Sequence, residues 1–179
     1  MRSVYLLGPP GVGKTSLMDA LLADHQRLPP ARAMGTMWVE PLIHHDLFAG
    51  YHLGKTRPGF GGTDALSYSV LPDAVRWVSE PFEARMWGEG ARLAHPKFAA
   101  ALIAGGHEMV WVLLDAPAGV LTERCSRRGS TQNESWRAGA GTRARNAAAG
   151  LASVGATVRS LDATMSTAEM AALVREWMT

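Results

Sequence analysis

The sequence predicts an α/β fold of three layers, a mainly parallel central sheet flanked by helices, and three observations predict it. Short apolar runs alternate with stretches of helical period along the whole chain. The run Met109-Val110-Trp111-Val112-Leu113-Leu114 has no polar alternation, as expected of a parallel strand covered on both faces. The first apolar run ends at Gly8 and passes through a Gly/Pro-rich turn straight into a helical stretch. With 179 residues the chain fits one domain, spanning 1–179.

The elements follow in order. Residues 2–8 read as a strand, and Lys14 to about His25 as a helix with Leu17, Leu21 and Leu22 on one face. Pro29 and Pro30 end that helix and open a connector. Two apolar stretches, around Trp38–Ile43 and Leu47–Leu53, predict a small hairpin turning at Ala49-Gly50. The glycine-rich stretch Pro58–Asp64 precedes a helix through Leu66, Val70 and Val75–Val78, with Pro72 disturbing its middle. A strand near Phe82–Trp87 ends in Gly88-Glu89-Gly90, and a helix near Ala91–Ala104 is closed by Gly105-Gly106. After the strand that ends at Asp115, residues 118–150 read as helical with a polar interruption near Gly129–Glu134. Thr157–Leu161 is the last strand. The final helix opens with the capping box Ser166-Thr167-Ala168-Glu169 and carries the stripe Met170, Leu173, Val174, Trp177, Met178.

Gly8-Pro9-Pro10-Gly11-Val12-Gly13-Lys14-Thr15 matches G-x-x-x-x-G-K-[ST] in full. Glycines let the backbone curl around phosphates with its N–H groups inward, and the helix starting near Lys14 adds its positive end. Lys14 is placed to bridge the β- and γ-phosphates of ATP, and the Thr15 hydroxyl, followed by Ser16, to ligate Mg²⁺. The P-loop classes then separate. No Asn-Lys-x-Asp motif follows a central strand, which argues against a small GTPase. Asp115 is followed by Ala116, not Glu, which argues against a motor ATPase.

The passage Leu114-Asp115-Ala116-Pro117, then Leu121-Thr122-Glu123-Arg124-Cys125-Ser126-Arg127-Arg128-Gly129, resembles the strand, helix and arginine-bearing lid of thymidylate kinases. Leu161-Asp162-Ala163-Thr164 and the capped helix after it resemble their C-terminal end, whereas residues 30–80 do not match an ordinary thymidylate kinase. The block Leu53-Gly54-Lys55-Thr56-Arg57 with Phe60–Ser67 resembles bacteriophage P-loop kinases that act on 5-hydroxymethyluracil within DNA. That similarity extends through Glu89-Gly90-x-Arg92-Leu93 and 136–146. The resemblance implies a lid over roughly 124–143 and an acceptor-site insertion over roughly 37–67. It also implies transfer of the γ-phosphate of ATP to a hydroxyl of a pyrimidine nucleotide unit. A free nucleoside monophosphate kinase, or a nucleotide-binding regulatory ATPase without an acceptor, are the alternatives.

Phosphoryl transfer needs cations around the shared charge and a group to take the acceptor's proton. Arg124 and Arg128 lie one helical turn apart and can point to one site; Arg127, Arg137 and Arg143 rank behind them, and any of these arginines also suits a solvated helix face. Asp64 is the first candidate base, and it equally suits capping of a helix that starts at Ala65; Asp46, after His44-His45, is a weaker one. Glu89 ends a central strand, where it suits a magnesium-bound water, and Asp115 is its rival. Lys55, Arg57 and Thr63 complete the expected acceptor side.

Composition sets softer bounds. Net charge is only +2 despite a sequence pI of about 9.0, and the excess is arginine, with Lys at 14, 55 and 97 alone. That pattern fits a GC-rich genome as well as a nucleic-acid partner. Cys125 stands alone and excludes an internal disulfide. No run has membrane-span length, the first apolar stretch is too short for a signal peptide, and a cytoplasmic location is expected. The histidines lack zinc-site spacing.

Overall fold

A computed structural model describes residues 2–56, 61–127, 129 and 134–179, with the side chains of Glu134, Trp136 and Arg137 excepted. The elements are β1 (Ser3–Leu7), α1 (Lys14–Leu21), β2 (Gln26–Arg27), β3 (Ala31–Met34), β4 (Met37–His44), β5 (Leu47–Leu53), a 3-10 turn (Gly62–Ala65) and α2 (Val70–Ser79). They continue with β6 (Arg85–Glu89), α3 (Pro96–Ala104), β7 (Met109–Asp115), α4 (Ala118–Arg127), α5 (Glu134–Ser153), β8 (Thr157–Asp162) and α6 (Thr167–Trp177).

Five strands run parallel in the order β5-β6-β1-β7-β8, with β1 at the centre. All five residues of β1 are buried, which its unbroken apolar run requires. Its pleat sorts the two cores. Val4 and Leu6 join Leu17, Met18, Val112, Met170 and Val174 under α1 and α6, while Tyr5 and Leu7 join Val70, Val78, Phe98, Trp111 and Leu151 under α2, α3 and α5. Each such aliphatic side chain contributes roughly 1.5–3 kcal/mol by burial. The capping box of α6 forms: the Ser166 hydroxyl accepts from the Glu169 N–H, and the Glu169 carboxylate accepts from the Ser166 N–H.

Four expectations need correction. The hairpin β4–β5 turns at His45-Asp46, both left-handed with φ of 49° and 62°, which is the two-residue geometry that matches strand twist. Gly50 lies inside β5 instead, because a Cβ there would fall 2.2 Å from the Arg85 carbonyl oxygen and 2.8 Å from the Trp87 ring. The supposed connector after α1 contains β2 and β3, which both pair antiparallel with β4 on either side of Pro29-Pro30. Pro72 falls in the first turn of α2, where its missing N–H has no helical partner to lose, so it disturbs nothing. Finally, α3 starts at Pro96 with His95 accepting from the Lys97 N–H, five residues later than the apolar pattern indicates.

Candidate active site

The carboxyl ends of the parallel strands gather the chemistry, as open α/β sheets do. Between β1 and α1 the loop carries Gly8, Gly11 and Gly13 at positive φ, and Val12 anchors it in the core at 0% exposure. Pro10 is half-buried, and Ser16 is exposed on the first turn of α1. A Cβ on Gly11 would lie 2.7 Å from the Cys125 sulfur, so α4 packs hard against the loop. Gly13 is the N-cap of α1, and among the described residues no side chain caps that terminus. Its first-turn N–H donors are therefore left for a ligand, and a phosphate fits them. The Lys14 ammonium folds back across the loop, donating to the Gly8 and Pro9 carbonyls at 2.9 and 3.2 Å.

Thr15 and Glu89 meet. The Thr15 hydroxyl donates to the Glu89 carboxylate at 3.1 Å, joining the end of β6 to the start of α1. Glu89 is 4% exposed. Burial raises its pKa, while His52, the Thr15 hydroxyl and Lys14 pull the other way. A hydroxyl and a buried carboxylate beside a phosphate cradle fit Mg²⁺, which takes few protein ligands and completes its shell with phosphate and water.

Asp64 also reaches this end. One of its oxygens accepts from the Ala91 N–H at 2.7 Å, so it braces the turn after β6 and does not cap α2. Thr63 is fully buried: its hydroxyl donates to the Glu89 carbonyl at 2.8 Å and accepts from the Tyr5 hydroxyl at 2.6 Å. Those bonds make it a tie between the 3-10 turn and β6, not a surface that meets an acceptor. Lys55 rests over the Trp38 ring at 4.5 Å. Asp46 is a correction: it sits in the β4–β5 turn, at the amino end of the parallel strands and a full strand length from Glu89. Arg57 and Arg128 lie outside the described residues.

A cleft of about 290 Å³ runs beside the loop, lined by Gly11, Gly13, Ser16, Arg124, Arg127 and Thr167 among others. Arg124 approaches the Val12 carbonyl at 3.5 Å, and Arg127 is paired with Glu123 on the surface of α4. Asp115 is engaged by Arg145 at 3.3 Å and by its neighbour's N–H, Ala116, which leaves Glu89 as the carboxylate facing Thr15.

The sequence reading missed one pair. His52 on β5 stands opposite Glu40 on β4, and the His52 Nδ1 and Glu40 carboxylate are 2.9 Å apart at 1% and 5% side-chain exposure. The second Glu40 oxygen accepts from the Thr56 N–H at 2.7 Å, which fixes the chain leaving β5. Glu40, His52 and Glu89 share the sheet face that packs α1, so a row of buried charged and polar groups crosses three strands toward the phosphate loop. Glu40 stands two residues before buried Leu42, on the same face of β4, which is a signal for an inward carboxylate, but nothing local named its partner.

A larger cavity, about 700 Å³, lies at the opposite end of the sheet and includes His25, His44, Phe48, Arg85, Trp87 and His107 in its wall. None of the expected site residues lines it.

The sheet order, the loop and the Thr15–Glu89 contact define a P-loop kinase. The chain belongs to the P-loop Nucleotide Kinase3 family, whose model matches residues 1–171. Among solved structures it is similar to a gluconokinase from Sinorhizobium meliloti 1021, with 16% identity, a TM-score of 0.45, and coverage of 99% of this chain and 89% of that one. No curated protein matches it significantly. Among the described residues, no helix is long and apolar enough to cross a membrane, and no group of three or more His, Cys, Asp or Glu side chains is arranged to hold a metal ion.

Proposed function

We propose that the protein transfers the γ-phosphate of ATP to a hydroxyl of a pyrimidine nucleotide unit, with 5-hydroxymethyluracil in DNA as the acceptor the sequence favours. The Thr15–Glu89 contact beside the uncapped start of α1 carries the kinase reading. Thr15 and Glu89, the latter through water, would hold Mg²⁺, which offsets phosphate charge when bound. Lys14 and the loop N–H groups hold the phosphates, and Arg124 meets charge from the side of α4. The acceptor oxygen forms a bond to the γ-phosphorus as the bond to the β-bridging oxygen breaks, and ADP leaves. The acceptor's proton passes to Asp64, whose second oxygen accepts no hydrogen bond from the described residues. Lys55 and Arg57 precede the glycine loop in the sequence and suit a phosphate of the same unit. The family description, a nucleotide kinase, supports a nucleotide acceptor.

The test offers γ-labelled ATP with DNA containing 5-hydroxymethyluracil, ordinary DNA and a panel of free nucleotides. Label in the modified DNA alone establishes the base-directed reading. Label only in a free nucleotide makes this a metabolic nucleotide kinase and removes DNA from the proposal. ADP release that no acceptor stimulates would leave a regulatory ATPase and end the transferase reading.

A further inference from the structure

Tyr68 is the most exposed large apolar side chain among the described residues, at 87%, ahead of Leu47 and Phe48. It lies between the 3-10 turn and α2, at the same end of the sheet as Glu89. The Arg92 guanidinium lies 3.4 Å from the centre of its ring. Such contact covers one face of the phenol and leaves the other to solvent. Arg92 comes from the turn after β6, and the two segments are fastened together because Asp64 accepts from the Ala91 N–H, one residue before Arg92. The Arg92 Nε is buried without a hydrogen-bond partner, and Arg92 enters no ion pair among the described residues.

An open aromatic face beside an unpaired guanidinium matches a ligand that is flat and negatively charged. A phosphorylated sugar supplies the charge but nothing to stack; an acidic peptide gives no reason for the bare ring. A nucleobase with its phosphate supplies both, and stacking on one ring tolerates any base. Arginine suits the second role because its plane can cover the ring while its edge donors reach phosphate oxygens.

We propose that Tyr68 and Arg92 form a platform on which a nucleobase of the acceptor stacks, with Arg92 taking the adjoining phosphate. This rests on the reading that the acceptor is a nucleotide unit, free or within a strand, and it puts the recognition element at the rim of the acceptor side. Tyr68 bears almost nothing of the core, so its substitution leaves the fold intact.

The experiment measures binding of a fluorescent oligothymidylate to the full chain by anisotropy, with dTMP as competitor, at about 50 and 200 mM salt. Tyr68→Ala is expected to weaken binding by roughly 5- to 150-fold, the range that loss of one stacked base gives. Tyr68→Phe keeps the ring and stays within about 2-fold of wild type, and Arg92→Gln lowers the salt slope by about one unit. Competition by dTMP identifies a platform that reads a single nucleotide; binding of the strand without such competition identifies one that needs a polymer. Wild-type binding of neither probe, equal binding by Tyr68→Ala, or equal loss in the Phe and Ala variants would overturn the platform. Phosphate transfer separates the two ideas. Transfer to a nucleotide with unchanged KM in Tyr68→Ala sinks the platform alone, whereas Tyr68-dependent binding without any transfer sinks the acceptor assignment alone.

Discussion

The two ends of the parallel strands hold the same residue types and treat them differently. At the carboxyl end, Glu89, His52, Glu40, Thr15 and Lys14 bond to one another or to the backbone, and their side chains lie in a row toward an uncapped helix start. At the amino end, His25 stacks on His44 at 4.9 Å and meets Trp87 edge-on, while Phe82 covers His107. There, among the described residues, His25 Nδ1, Arg85 Nε and His107 Nε2 have no hydrogen-bond partner, whereas at the carboxyl end His52 Nε2 and Arg92 Nε have none. The amino-end cavity is the larger, about 700 Å³ against about 290 Å³ beside the loop. Size and convergence therefore point to different ends of this molecule: parallel strands end where helices begin, so backbone donors and strand-end carboxylates share one edge, and the other edge receives helix C-termini.

The contrast breaks first if the wrong edge controls transfer. Lys14→Ala and Glu89→Gln should each lower transfer by about 10³-fold or more with the melting temperature retained, and Arg85→Gln should leave transfer within about 2-fold. An Arg85 variant as dead as the Lys14 variant would dissolve the distinction. Next in size, Asp64→Asn should cut kcat by about 10²- to 10⁴-fold without altering ATP affinity, since an amide oxygen still accepts from the Ala91 N–H while the charge is gone. Equilibrium ATP binding and single-turnover transfer read the two parts separately.

At the amino edge the expected effects concern stability. Gly50→Ala should cost about 2–4 kcal/mol in denaturant unfolding, from a φ of 141° and a clash with the Arg85 carbonyl, while activity per folded molecule survives. The smallest effects sharpen the comparison by pH. Burial lowers the pKa values of His25 and His107 from their ordinary 6.5, so the unfolded chain binds protons more readily there. Stability should fall gradually as pH drops from about 6.5 through the folded values, and the double variant His25→Gln, His107→Gln should flatten that slope. Burial alone would raise the Glu40 carboxyl, but bonds from His52 and Thr56 outweigh it and hold it below 4.5. Its contribution is present above that value and is lost as pH falls through the lower folded pKa, so the carboxyl edge should yield to acid after the amino edge. Urea midpoints across pH 3–8 check both.

What the sequence disclosed follows the range of the interactions involved. The phosphate loop, β7 and the Ser166 capping box depend on neighbours within a few residues, and each was legible. The place of Glu89 at the carboxyl end of a strand was legible, and such sheets gather ligands at those ends. The misplaced hairpin turn had the opposite cause. Gly50 reads as punctuation, yet its glycine answers to Arg85 and Trp87, residues 35 and 37 positions on, while His45-Asp46 carries the turn without a glycine. The Glu40–His52 pair depends on the register of β4 against β5, which no periodicity reports. Asp46 entered the acceptor set for its company with two histidines and left it once that register put it at the far edge.

Cys125 touching the phosphate loop at Gly11 has a mechanical consequence. The later half of α4 is clamped against that loop, so Arg124, one residue before Cys125, stands beside it as a fixed post. A reagent that alkylates the lone thiol would wedge the clamp apart, and its rate of attack gauges how often the post lets go.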